Sequence, residues 1–213
     1  WVESICRRPT RIDIVYNAAL RQKMPDRGGR RTVTFALMGR MGERKGVFDL
    51  LEAFKRMTGD HPSARLILAG DGEVEKVRSL VAAAGLDDRV EVPGWVSGAD
   101  AKSVFERADV YCLPSYNEGL PGSILEAMAV GLPVISTPVG GILEAVQHES
   151  NGLIIEPGDI SALADGLARL AADAELREAM GEASYALFET KFDLDAIVEQ
   201  VVGIYETLFY SSA

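Results

Sequence analysis

From residue 32 onward the chain alternates, six times over, between a short apolar run and a longer segment with helical spacing. The runs cover residues 32–38, 64–69, 89–92, 109–113, 132–137 and 152–155. They are short and nearly continuously apolar, which reads as strands buried on both faces. Between them, Val47, Leu50, Leu51 and Phe54 form a stripe at i, i+3, i+4 and i+7, and Val77, Leu80, Val81 and Ala84 repeat it. Val104 and Ala108, Leu125 and Ala129, then Leu163, Leu167 and Leu170 continue the pattern. Strands separated by helices pair in parallel through right-handed crossovers. The expected fold class is therefore α/β, a Rossmann-like doubly wound parallel six-stranded sheet with a C-terminal helical tail. Its ligand belongs at the strands' carboxyl ends, near the point where the strand order reverses.

The flanks have a different texture. One strand-like run, 12–16, precedes a polar stretch with Arg and Gly, 21–31, which reads as a linker. After Ala174 come two amphipathic helices, the second placing Ile197, Val201, Ile204 and Leu208 on one face. The expected organisation is a linker over 1–31, a Rossmann-like domain over 32–173 and C-terminal helices over 174–213.

Charge narrows the partners. Lys plus Arg is 22 against 32 Asp plus Glu, a net charge of −10, which repels phosphate backbones and anionic lipid and argues against nucleic acid. No apolar run approaches the roughly 20 residues of a spanning helix, so no intrinsic membrane span is expected. Two cysteines, Cys6 and Cys112, without a CxxC, fit a reducing cytoplasm. The two histidines, His61 and His148, are too isolated to build a metal site. The chain begins at Trp1 without an initiator Met or a signal-peptide pattern, which suggests a piece of a longer protein.

Two loops carry the chemistry. After the fourth run comes Ser115-Tyr116-Asn117-Glu118-Gly119-Leu120-Pro121-Gly122-Ser123-Ile124-Leu125-Glu126. Pro121 suits a first helical position, leaving the amides of Gly122, Ser123 and Ile124 free for a phosphate or a sugar hydroxyl. Glu126, about a turn and a half into that helix, could accept from two vicinal hydroxyls. Solvated charges near a helix start are an equally good reading of Glu118 and Glu126. The loop after the first run, Gly39-Arg40-Met41-Gly42-Glu43-Arg44-Lys45-Gly46, shifts the balance. Arg40 and Lys45, at the carboxyl edge of an acidic protein, suit a diphosphate. The loop is neither GxGxxG nor GxxxxGK[ST], so the dinucleotide fingerprint and the P-loop both fail.

Other features read more plainly. Gly70-Asp71-Gly72-Glu73 is a tight turn with a helix cap, and Gly140-Gly141 permits a close backbone approach. Trp95 reads as ordinary packing in preference to a surface for a base. Asp193-Leu194-Asp195 reads as a helix cap and not as a metal site.

These residues together resemble the nucleotide-sugar half of family-4 retaining glycosyltransferases of the glycosyltransferase-B fold. The resemblance rests on the Arg40 to Lys45 loop, Gly70-Asp71-Gly72, Pro114-Ser115, the Glu118 and Glu126 pair seven residues apart, and Gly140-Gly141. It implies that Gly39, Arg40 and Lys45 bind the donor diphosphate, with Arg40 and Lys45 stabilising the departing charge. It implies that Glu118 contacts the transferring sugar and Glu126 the ribose hydroxyls. Amides around Gly119, Leu120, Gly122, Ser123 and Ile124 would bind sugar and phosphate. No metal and no cofactor are implied beyond the nucleotide-diphospho-sugar substrate. The resemblance also implies an N-terminal acceptor domain, of which residues 1–31 would be a remnant, and a cytoplasmic enzyme, or one peripheral to the inner membrane face. Transfer by this chain alone is then not expected. Rivals are a sugar-nucleotide epimerase or phosphorylase of similar architecture, and a non-catalytic nucleotide-sugar-binding module.

Overall fold

The computed structural model describes residues 12–210. Cys6 and the beginning of the expected linker lie outside them. Six strands, β1 (Thr34–Met38), β2 (Arg65–Ala69), β3 (Val90–Gly94), β4 (Val110–Leu113), β5 (Val134–Ser136) and β6 (Gly152–Ile154), form one sheet. Their order is β3-β2-β1-β4-β5-β6, all pairs parallel. Phe35 sits opposite both Leu66 and Val110. The strands are shorter than most of the apolar runs because the ladder ends before burial does. In the fifth run the ladder opens only at Val134, after Pro133, which has no amide to donate.

Among the described residues seven helices accompany the sheet: α1 (Val47–Met57), α2 (Val74–Ala83), α3 (Gly98–Arg107), α4 (Gly122–Met128), α5 (Ile160–Ala172), α6 (Ala174–Lys191) and α7 (Leu194–Tyr210), the last packing on α6. Phe35, Leu37, Leu66, Leu68, Tyr111, Leu113 and Val134 are fully buried, as the continuous apolar runs require. Each such side chain contributes about 1.5–3 kcal/mol by leaving water. The stripe of α1 packs on α5 and that of α4 on α6.

The segment before β1 departs from expectation. Residues 12–16 join no ladder; the pairing lies further on, at Ala19 opposite Asp193. Ala19 donates to Phe192 O at 3.0 Å and accepts from the Leu194 amide at 3.0 Å. The Asp193 carboxylate, 2% exposed, takes the Arg21 guanidinium instead of capping α7, which corrects the capping expected of it. A charge buried that deeply needs a cation more than a helix needs one capped amide.

Residues 21–31 are likewise bolted down. Arg27 donates to the carbonyls of Ala108 and Val130, both at 2.8 Å, and of Phe105 at 3.3 Å. Arg30 reaches Glu106 O, Arg107 O and the Asp109 carboxylate, each at 3.0 Å. The two arginines thus satisfy carbonyls that the end of α3 leaves open. Burial pulls the Arg27 guanidinium down to about 10, so it stays protonated at neutral pH. On α7 the expected face is only half-buried at Ile197, Val201 and Ile204, and Leu208 is exposed.

Candidate functional site: the crevice between the loops after β1 and β4

β1 and β4 are neighbours, and the chain winds outward from them in opposite directions. The loops leaving their carboxyl ends therefore part and form a crevice. They touch at its base: the Tyr116 amide donates to Arg44 O at 2.9 Å. Gly46, at φ 66°, lies so close that a Cβ there would stand 2.1 Å from Pro114 O. Only glycine permits that crossing.

The crossing delivers Lys45 onto Glu118. Their side chains are 12% and 7% exposed, and Nζ lies 2.6 Å from Oε1. The Ser115 hydroxyl donates to the same oxygen at 2.8 Å, and Arg44 stands 3.9 Å from Oε2. Thr137 Oγ1 in turn holds Ser115 O at 2.6 Å. Glu118 is thus a buried, oriented carboxylate and not a solvated charge. Arg40 is the opposite case: 72% exposed, with only Asp71 at 4.0 Å, it is available to an anion.

The loop over 70–73 supports the first loop through its backbone. Met41 donates to Asp71 O at 2.7 Å, and Glu73 donates to Met41 O at 3.0 Å. Glu73 opens α2 without a side-chain cap, however, and its carboxylate instead accepts from Lys76 at 2.8 Å.

Two details of the second loop differ from expectation. Pro121 is the cap, with ψ 123°, and α4 starts one residue later. The Ile124 amide is not free, because it donates to Pro121 O at 3.1 Å. Open amides therefore belong to Gly122 and Ser123, and α4, with seven residues, adds little dipole. Gly140 and Gly141 close in from the side. The Gly141 amide donates to Gly119 O at 2.8 Å. A Cβ on Gly140, at φ 57°, would stand 1.9 Å from Glu118 O.

Glu126 lies on the exposed face of α4, and desolvation raises its carboxyl above the usual value. Beneath it the Tyr111 hydroxyl donates to Met38 O at 3.0 Å and lies against Ser123. Burial pushes the Tyr111 phenol and the Cys112 thiol up, so neither ionises here. Trp95 is 72% exposed, contrary to the packing expected of it. His148 accepts from the Ile154 amide at 3.0 Å, a structural bond beside β6.

Sequence reading missed the supports behind these loops. Asn17 donates to Leu120 O at 2.9 Å, and Tyr16 donates to Glu144 at 2.8 Å. Lys191 reaches both Glu144 Oε2, at 2.7 Å, and Glu144 O, at 3.0 Å. These partners lie 47 to 128 residues apart, and no local pattern links them.

A six-stranded parallel sheet with its strand order reversing between β1 and β4 defines the Rossmann-like, doubly wound class. Residues 20–187 match the family model described as "Glycosyl transferases group 1". The chain belongs to this family.

The alpha-D-kanosaminyltransferase of Streptomyces kanamyceticus is 32% identical over 172 residues, covering 80% of this chain and 45% of that protein. The crystal structure of Anabaena HepE in complex with UDP superposes with a TM-score of 0.75 at 24% identity, covering 83% of this chain and 49% of that one. The C-terminal domain of the group 1 glycosyl transferase LpcC from Francisella tularensis matches at TM-score 0.70 and 25% identity, covering 80% of this chain and 89% of that domain. The chain spans about half the length of the curated relatives it matches. Among the described residues, no helix is long and apolar enough to cross a membrane.

Proposed function

We propose that this chain is the donor-binding half of a glycosyltransferase that uses a nucleotide-diphospho-sugar and transfers a hexosyl group with retention. The observation that carries the reading is the buried Lys45–Glu118 pair at the strand switch point, with Arg40 exposed beside it. An ammonium has three protons to donate, and Glu118 engages one direction only. Lys45 can therefore hold a diphosphate oxygen while staying paired, and Arg40 can add a forked contact from the open side. As the glycosidic bond breaks, negative charge grows on the departing diphosphate, and the two cations stabilise it in place. Glu118, already accepting from Lys45 and Ser115, is oriented to accept from sugar hydroxyls and is poorly suited to attack carbon. In this reading the amides of Gly119, Leu120, Gly122 and Ser123 take sugar and phosphate oxygens, and Glu126 takes the ribose hydroxyls. Retention and the hexosyl group rest on the sequence resemblance.

Relatives about twice as long support a further part of the reading, that the acceptor is held by a region outside these 213 residues. Positioning an acceptor against the anomeric carbon contributes up to roughly 7–11 kcal/mol. This chain alone should therefore bind nucleoside diphosphates and transfer nothing at enzymatic rates. The test is titration calorimetry with UDP, GDP and ADP on the parent chain, Arg40→Ala and Lys45→Ala. At least one nucleotide should bind the parent, and both substitutions should weaken it about tenfold or more. Affinities unchanged in both variants would overturn the assignment.

A further inference from the structure

The loop after β4 is held from outside as well as from within. Its internal hold is the Glu118 carboxylate on Lys45 and Ser115. Its second hold is the Gly141 amide on Gly119 O. A peptide bond is planar and, here, trans, so pinning Gly119 O on one side turns the Leu120 N–H to the other. The third hold comes from the segment before β1: Asn17 Nδ2 donates to Leu120 O at 2.9 Å, across 103 residues. Pro121 follows Leu120 and brings no amide of its own, so this carbonyl is the one backbone group by which that peptide can be gripped.

The gripping segment is itself anchored. Tyr16 donates to Glu144, which closes the 3-10 turn (Ile142–Glu144) directly after Gly141. The Tyr16 ring meets Phe192 edge-on at 5.6 Å, with Lys191 Nζ 4.6 Å from the Tyr16 centroid. Three residues after Tyr16, Ala19 is paired to the junction of α6 and α7. One short stretch thus contacts both walls that hold Gly119 and Leu120.

We propose that Asn17 is a positioning residue for the donor site, setting the Leu120 peptide so that the Gly119–Leu120 amides face the ligand. The inference rests on the donor-site reading above and extends it to a residue outside both loops. Asn17 works through the amide proton it donates, and its side chain is exposed, so removing it disturbs the loop and spares the core.

The test uses UDP, GDP and ADP titrations on the parent, Asn17→Leu, Asn17→Asp and Lys45→Ala, together with hydrogen exchange of residues 118–124 in the unliganded protein. Asn17→Leu keeps the shape and loses the donor; nucleotide affinity should fall about three- to tenfold at every pH. Asn17→Asp faces the Leu120 carbonyl with a second acceptor at about pH 8, and near pH 4, where about half of the carboxyl is protonated, its hydroxyl can donate again. Its affinity relative to the parent should then recover to within about twofold, whereas that of Asn17→Leu should not.

Glu126, with its raised carboxyl, titrates alike in the parent and the variants, so each affinity is read relative to the parent at the same pH. Glu144 is held below the usual carboxylate range by Lys191 and Tyr16, and Tyr16 is pushed up by Glu144. Both substitutions should raise exchange in 118–124 and leave that of β1 and β4 unchanged. Lys45→Ala separates the two readings: loss of affinity there, with none in Asn17→Leu, overturns this inference alone. Affinity unchanged in every variant overturns the donor-site reading, and the exchange data then decide the positioning role. Parent-like exchange in Asn17→Leu overturns it.

Discussion

Replacing Lys45 by Met removes one charge of the buried pair and keeps the length of the side chain. At 2.6 Å and an effective dielectric near 20, the attraction is about 6 kcal/mol, most of it offset by the desolvation of both groups. The intact pair therefore adds little net stability. The single substitution is a different matter, because it strands Glu118 at 7% exposure. A lone charge left in a buried pair costs about 3–5 kcal/mol. Ser115 remains at 2.8 Å and Arg44 at 3.9 Å, so we expect a loss of about 2–3 kcal/mol, or roughly 4–12 °C in melting temperature. Adding Glu118→Gln to Lys45→Met should recover at least half of that loss, since the amide needs no counter-charge. Chemical denaturation of the four proteins closes the cycle. Losses that simply add, within about 0.5 kcal/mol, would show that the two side chains are not coupled and refute the buried-pair argument.

Gly140→Ala must move the loop, since its Cβ would meet Glu118 O at 1.9 Å and its φ of 57° strains any L side chain. Nucleotide affinity should fall about tenfold while the fold survives, and calorimetry giving parent-like affinity would remove this contact from the site. For Glu126, desolvation raises the folded value above the unfolded one. Its contribution to stability is therefore present at pH below the unfolded value and is lost as pH rises through the raised one. Ribose hydroxyls need the ionised form as acceptor, so nucleotide affinity should climb with pH through the acidic range. Glu126→Gln should flatten that climb, and parallel profiles would exclude the contact. Asp109→Ala removes the acceptor for both Arg30, at 3.0 Å, and the Thr34 amide, at 2.8 Å. Urea unfolding should register a loss of about 1–3 kcal/mol, and a change under about 0.5 kcal/mol would contradict that role.

How far the fold and the site were legible follows from the range of the forces involved. Strand and helix identity is set by local periodicity, and burial on both faces is written directly into runs such as 109–113. Six such units in alternation allow essentially one architecture, and the sheet has it. Arg40, Lys45, Glu118 and Glu126 stood out because backbone chemistry demands certain residue types at strand ends, and loops at strand ends are where ligands bind.

Which of those groups meet could not be read along the chain. Lys45 and Glu118 are 73 residues apart, and only the adjacency of β1 and β4 brings them together. Trp95 illustrates the opposite error. An indole is read as core from its apolarity, but the end of β3 lies at the sheet's edge, where nothing covers it. Asp193 was read as a cap because that role is local, and a distant Arg21 claimed it. Sequence by itself determined the elements and their alternation, because these depend on interactions within one turn or one strand. Tertiary structure alone decided the Lys45–Glu118 pair, the Asn17 grip on Leu120 and the exposure of Trp95. Each depends on contacts closed between residues far apart in the chain, and their partners leave no trace in local spacing.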